Sequence, residues 1–290
     1  MMMDLKMKSK HDFMEEWTIR KRNRVRRRNK NLLIVWCGGT GEGKSWGAGR
    51  VGEKIDPTFI DCINDNGIHS RIAWGKPLRF MKMLNKGIDD KTIKKGSVII
   101  FDEAGVGMPA REWYSQSNKM FSYVIQTFRN LNLCVIFTVP HLSFIDSQPR
   151  KLFHNFIDSK TINLEKRYSR ITIQKMSVNS KEDKIYYPYP RFHGIKIKGF
   201  YLNAPHDDFI KLYEPASNEF KEELRKEAEA EMETDKAKKS LLKQTDIAIM
   251  KQIKKEDMAL NAYLLQFKFN IGKDRAYRII KNYNLLSSEL

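Results

Sequence analysis

The segment Gly38-Gly39-Thr40-Gly41-Glu42-Gly43-Lys44-Ser45 constrains this chain more than any other. It has the form Gly-x-x-x-x-Gly-Lys-Ser and directly follows six apolar residues, Leu32 to Cys37. A continuous apolar run of that kind reads as a strand buried on both faces of a parallel sheet. The glycines let the backbone bend so that successive N–H groups converge on an anion, and the helix expected from Lys44 adds its partial positive charge. Gly38, Gly39, Thr40, Gly41, Glu42, Gly43, Lys44 and Ser45, with Trp46 just beyond, are therefore the candidate ligands of a nucleoside triphosphate. Lys44 would reach the β- and γ-phosphates and Ser45 would bind Mg²⁺ through its hydroxyl, so ATP and Mg²⁺ are the expected cofactors. Gly47 and Gly49 weaken the helix by about 1 kcal/mol each; close packing against a neighbour is the available reason for them.

A phosphate cradle alone does not hydrolyse. Hydrolysis also needs a carboxylate for the metal and a group that orients the attacking water. Val98-Ile99-Ile100-Phe101 is a second fully apolar strand, and it ends in Asp102-Glu103, roughly 55 residues after the loop. Ligands of open α/β sheets bind at that end of a strand. Asp102 is the candidate metal partner and Glu103 the candidate catalytic carboxylate.

Further elements follow the same alternation. Residues 58–64 read as a strand, 76–90 as a helix, 116–130 as a helix, and Leu133 to Val139 as a strand closed by Pro140. The pattern predicts an α/β domain over 31–216, with a mostly parallel sheet sandwiched by helices. Within it, 161–204 is rich in alternating and aromatic residues and predicts an antiparallel extension, with a turn at Asn179 to Asp183. Residues 217–243 read as a charged helical linker, and 244–290 as a small module of three short helices. A turn around Asn270 to Gly272 there separates two apolar faces, which is helix-turn-helix patterning. Lys273, Arg275, Arg278 and Lys281 lie off the second face and are candidate DNA contacts.

The formal net charge is +18, with a pI near 9.7, which points to a polyanionic partner. Residues 1–30 form a basic arm in which eight of the eleven residues from Arg20 to Lys30 are Lys or Arg. Arg22, Arg24, Arg26, Arg27 and Arg28 are candidate DNA contacts. Phe13, Met14 and Trp17 are spaced for one helical face, so the arm is either a short amphipathic helix or a tail that orders against an anion. The three cysteines, Cys37, Cys62 and Cys134, match neither a zinc site nor a disulfide framework and read as small core residues in a reducing compartment. No apolar run approaches the ~18 residues that span a bilayer, and no signal-peptide core opens the chain. A cytoplasmic protein without an integral membrane segment is expected.

On Gly38 to Ser45, Asp102-Glu103 and the segment from Arg129 to Pro140, residues 32–150 resemble the additional-strand, catalytic-glutamate class of P-loop ATPases. Within it they are similar to the FtsK/HerA superfamily of DNA-pumping motors, and to viral, plasmid and zonular-occludens-toxin-like ATPases. The resemblance implies a strand from Leu133 placed between the loop strand and the acidic strand, with a polar tip that senses the γ-phosphate. The superfamily usually has Gln there; this chain has Thr138. Arg129 matches the superfamily's arginine finger, and Arg111 competes for that role. A finger supplied by a neighbouring subunit implies a homo-oligomeric ring, by analogy a hexamer. The C-terminal helices also resemble the small winged-helix domain of FtsK-type translocases. The function implied is an ATP-hydrolysing motor that translocates or packages double-stranded DNA. Alternatives are a nucleotide-switched DNA-binding protein of partition or regulatory type, a phage-assembly ATPase at a membrane, and a small-molecule kinase.

Overall fold

The computed structural model describes residues 2–61, 70–106, 115–117, 119–120, 131–256 and 258–286. They divide into two compact units, Met1–Lys221 and Glu222–Leu290.

The first unit opens with helix α1 (Met2–Arg26), then β1 (Leu32–Cys37), α2 (Lys44–Ile55), β2 (Ile72–Trp74), α3 (Pro77–Asp89), β3 (Val98–Asp102) and β4 (Cys134–Val139). After one helical turn at Ser147–Arg150 come β5 (Asn155–Asn163), β6 (Tyr168–Lys175), the ribbon β7 (Ser177–Asn179) with β8 (Lys184–Tyr186), the ribbon β9 (Arg191–Phe192) with β10 (Ile195–Lys196), and β11 (Phe200–Asn203). Seven strands form one sheet in the order β11-β6-β5-β1-β4-β3-β2. The pairs of β1 with β4 and β5, β3 with β4, and β2 with β3 are parallel. The pairs of β6 with β5 and β11 are antiparallel. The expected antiparallel extension is thus the β5–β6–β11 edge. Residues β1, β3 and β4 are buried throughout, because helices cover both faces.

Along each central strand the side chains alternate between two layers. Leu33, Val35, Phe101, Val135 and Phe137 pack with Phe80 and Leu84 of α3. On the opposite layer Trp36 meets α2, and there the helix glycines find their reason. A Cβ at Gly47 would lie 2.4 Å from Trp36, and one at Gly49 would lie 2.4 Å from Phe209. Only a bare backbone lets the aromatic rings approach the helix this closely.

Three expectations change. Of the strand expected at 58–64, residues 58–61 are turn, because Asp56 Oδ1 accepts the Thr58 N–H (3.1 Å) and hydroxyl (2.9 Å) and bends the chain, and 62–64 lie outside the described residues. The strand on that edge is β2 instead. The basic arm is no tail: α1 is a 25-residue helix that packs on α2, β1 and β11. Its buried Phe13 stacks on Phe200 with ring centroids 4.7 Å apart. Apolar burial orders it without an anion. The charged linker has no separate ends, since it lies within α4 (Asp207–Lys255), a 49-residue helix.

In the second unit the last turns of α4 pack with α5 (Ala262–Phe269) and α6 (Lys273–Leu286), so two short helices stand where three were expected. Met250, Ile253, Leu265, Ala276 and Ile279 form its core. Asn261 caps α5 by accepting the Tyr263 N–H at 2.8 Å, and Asn270 ends it in the left-handed conformation.

Candidate nucleotide site

The loop after β1 enters α2 through Gly43, whose φ of 77° puts it in the left-handed region that glycine adopts without strain. A Cβ there would also lie 3.0 Å from Ile162. Gly43 begins the helix hydrogen bonding, its carbonyl accepting the Gly47 N–H at 2.9 Å. Lys44 Nζ folds back to donate to the Gly39 carbonyl at 2.8 Å. Glu42 accepts the Gly39 N–H through its carboxylate. The loop thus holds an anion-binding N–H and an ammonium side by side.

Strand β4 lies between β1 and β3, so its tip joins the loop to the acidic pair. Asp102 is fully buried. Its Oδ1 accepts the Ser45 hydroxyl at 3.0 Å and the Thr138 hydroxyl, and its Oδ2 accepts the Tyr213 hydroxyl. Thr138 also accepts the Glu103 N–H at 2.9 Å. One hydroxyl therefore fixes both acidic residues, which accounts for Thr where a longer side chain is usual. Among the described residues no cation pairs with Asp102, although it is deeply buried. Hydrogen bonds to its oxygens hold it instead.

Glu103 has φ 47°, a strained conformation for a residue with a Cβ. Burial raises the pKa of its carboxyl, and the neighbouring Asp102 raises it further, against the opposing pull of Lys221 and Lys44. The cleft it faces encloses about 460 Å³ and is lined by Lys44, Ser45, Trp46, Glu103, Tyr213 and Lys221, among others. That volume is in the range of small-molecule sites. Its far wall is the start of α4. Tyr213, Ser217 and Lys221 fall on one face at i, i+4, i+8. Trp46 donates its indole N–H to Glu214 at 2.8 Å. These α4 residues were missed in the sequence, where the mostly charged helix gives no sign of the face that meets the cleft. Burial and Asp102 push the Tyr213 phenol above its usual range, so it stays a hydrogen-bond donor.

Other candidates are dispersed. Arg22 donates to the carbonyls of Ile55 (3.2 Å) and Lys54, Arg24 to that of Asn31 (2.8 Å), and Arg26 to Asp56 Oδ1 (2.8 Å). Arg27 and Arg28 are exposed. In the second unit Arg275 and Arg278 pair with Asp246 at 2.8 and 3.1 Å, while Lys273 and Lys281 are exposed. Arg111, Arg129 and Cys62 lie outside the described residues. Cys37 and Cys134 are buried free thiols, and burial pushes Cys37 up to about 12. Among the described residues no helix is long and apolar enough to cross a membrane.

A mostly parallel sheet in which a strand with a polar tip separates a phosphate loop from an Asp-Glu pair defines a P-loop NTPase of the additional-strand class. More narrowly, the chain belongs to the zonular occludens toxin (Zot) family, whose model matches residues 68–214, just over half its length. That match takes in Asp102, Glu103, Thr138 and Tyr213 and begins after the loop. The N-terminal domain of zonular occludens toxin from Neisseria meningitidis is 16% identical, with 57% of this chain and 96% of that one covered and a TM-score of 0.27. The genome-packaging NTPase B204 of Sulfolobus turreted icosahedral virus 2, in complex with AMPPCP, is 10% identical over 57% of this chain and 100% of that one, with a TM-score of 0.29. A KaiC-like protein from Pyrococcus horikoshii OT3 is 10% identical over 59% and 90%, with a TM-score of 0.33. At these TM-scores the likenesses add nothing to the assignment. No curated protein matches the chain.

Proposed function

We propose that this protein hydrolyses ATP and couples hydrolysis to the movement or packaging of double-stranded DNA. One observation carries the first half: Lys44, Ser45 and Glu103 line one cleft, and buried Asp102 accepts the Ser45 hydroxyl, although they come from two segments far apart in sequence. Ser45 Oγ and Asp102 Oδ1, 3.0 Å apart, are the hard oxygen donors that Mg²⁺ takes alongside phosphate oxygens. Bound there, the ion would neutralise charge on the transferred phosphoryl group. Lys44 would bind the β- and γ-phosphates, and Glu103 would orient and deprotonate the attacking water. The raised pKa of its carboxyl suits a base.

The DNA half rests on the net charge of +18, on exposed Arg27, Arg28, Lys273 and Lys281, and on the two helices α5 and α6 with their short turn. In this reading α6 is the DNA-facing helix and the working form is a ring, with Arg129 or Arg111 reaching a neighbour's nucleotide. ATP turnover measured with and without duplex DNA tests it. Faster turnover with DNA is expected. Hydrolysis that ignores DNA, by a protein that does not retain DNA at moderate salt, would remove the motor and leave the ATPase.

A further inference from the structure

We propose a second anion site: a cup at the opposite end of the sheet from the nucleotide cleft, which seats backbone phosphates of duplex DNA. It is lined by Arg26, Thr58, Arg71, Lys94, Lys95 and Ser97 and encloses about 300 Å³. Four segments distant in sequence build it: the end of α1 with Arg26, the turn after α2 with Thr58, Arg71 just before β2, and the loop before β3 with Lys94, Lys95 and Ser97. The first and last touch where the Arg26 side chain crosses Gly96, at which a Cβ would lie 2.8 Å from Arg26 Cγ.

Among the described residues the charge in the cup is unbalanced. There one carboxylate, that of buried Asp56, pairs with two guanidinium groups, Arg26 at 2.8 Å and Arg71 at 2.7 Å. Arg71 also donates to the Thr92 carbonyl from Nε (3.1 Å) and Nη2 (2.7 Å), so it is fixed in place. Arg26 gives only Nη2 to Asp56, and its side chain is 40% exposed. Lys94 and Lys95 are exposed at the rim, and among the described residues neither has an ion-pair partner. The half-exposed Arg26 and the two lysines thus bring positive charge to one concavity, and a dianionic or polyanionic group is the complement.

The surroundings decide which anion. Arg27, Arg28 and Lys30 extend the positive tract on one side and Lys91 on the other, and all are exposed. Asp89 and Asp90 are the only acids between residues 86 and 97. The tract crosses the amino ends of β1, β4 and β3, about 10 Å at ~4.8 Å per strand, longer than one phosphate group. Among the described residues no large exposed hydrophobic side chain lies in residues 20–31, 57–61 or 86–97, so these segments lack the apolar anchor of a membrane-surface helix. A linear array of phosphates, as on duplex DNA, matches both the length and the polarity. The strands between this face and Asp102 are five or six residues long, about 16–20 Å, so the cup and the nucleotide are separate sites. The proposal rests on the DNA reading above only for the identity of the polyanion.

The test uses the full chain and a labelled duplex oligonucleotide, with binding followed by anisotropy across a salt series. The double variant Lys94→Ala/Lys95→Ala leaves Arg26 and Asp56 in place, and its thermal unfolding should match the parent's. Its DNA affinity should fall at least about tenfold, and the slope of log affinity against log salt should drop by about 2, near 0.9 per lost phosphate contact. ATP turnover without DNA should not change. An unchanged slope and affinity would overturn the site, and so would a parent protein that binds no duplex at low salt. Loss of binding to phosphatidylserine vesicles but not to duplex would assign the face to a membrane and overturn it equally. Parent turnover that rises with DNA beside an unaltered double variant sinks this site alone. A cup that binds DNA without any effect on turnover sinks the motor alone.

Discussion

At the scale of single residues, the site hangs on Thr138 and on the carboxyl of Glu103. Replacing Glu103 with Gln keeps shape and burial but removes the base. Turnover should fall by about 10² to 10⁴, while nucleotide still binds, because Lys44 and the loop N–H groups are untouched. The pH dependence has a fixed sign. The pKa of Glu103 is raised by burial and by Asp102, so the carboxyl takes up its proton at a higher pH than an ordinary Glu at 4.5. Parent turnover should therefore decline on the acid side at a pH above 4.5, and the residual rate of Glu103→Gln should lack that limb; steady-state kinetics across pH checks both. Lys44, Ser45, Asp102 and Glu103 were legible in the sequence because each sits in a short contiguous pattern at a strand end. Tyr213 was not. It reaches Asp102 from 111 residues away, and no local pattern marks which face of a mostly charged helix will meet the cleft. Thr138 was legible as a position but not as a role, since its two hydrogen bonds exist only once β3 and β4 are paired.

At the scale of elements, strong periodicity was read correctly and weak periodicity was not. β1, β3, β4 and α3 stand within a residue or two of expectation. Residues 58–61 looked like a strand because Phe59 and Ile60 are apolar. The Asp56 side chain instead captures Thr58 and turns the chain, and Phe59 is buried beside Gly52 of α2. Only three residues long, β2 gave no pattern of its own. The order of α1 was ambiguous because eight like charges obscured the apolar face that docks it. For α2 the balance of effects can be tested. In an open helix Gly→Ala stabilises by about 1 kcal/mol. At Gly47 the new methyl would lie 2.4 Å from Trp36, a buried ring held by its N–H bond to Ser159 at 2.9 Å. Overpacking costs about 1 to 3 kcal/mol, so Gly47→Ala should destabilise, whereas Trp36→Phe/Gly47→Ala should cost less than the sum of its two changes. Urea unfolding of the four proteins measures that coupling, and strict additivity would contradict the packing argument.

At the scale of the whole molecule, α4 belongs to both units, yet every described residue that lines the nucleotide cleft stands in the first, at or before Lys221. The part of α4 up to Lys221 is also core: Phe209 is fully buried, stacks on Tyr213 with ring centroids 5.5 Å apart, and fills the space left by Gly49. Cutting the chain at two points separates these roles. A chain ending at Lys221 should unfold cooperatively and bind an ATP analogue within about twofold of the full protein, since distant parts of a fold contribute nearly independently. A chain ending at His206 loses Phe209, Tyr213 and Phe220. Deleting one buried Phe side chain costs about 3 to 5 kcal/mol, so this shorter chain should melt far lower or fail to fold. Circular dichroism and analogue binding by fluorescence read both outcomes. If the chain ending at Lys221 folded but bound the analogue more than about tenfold more weakly (~1.4 kcal/mol), the second unit would have to contribute to the site directly, and the cleft as described here would be incomplete.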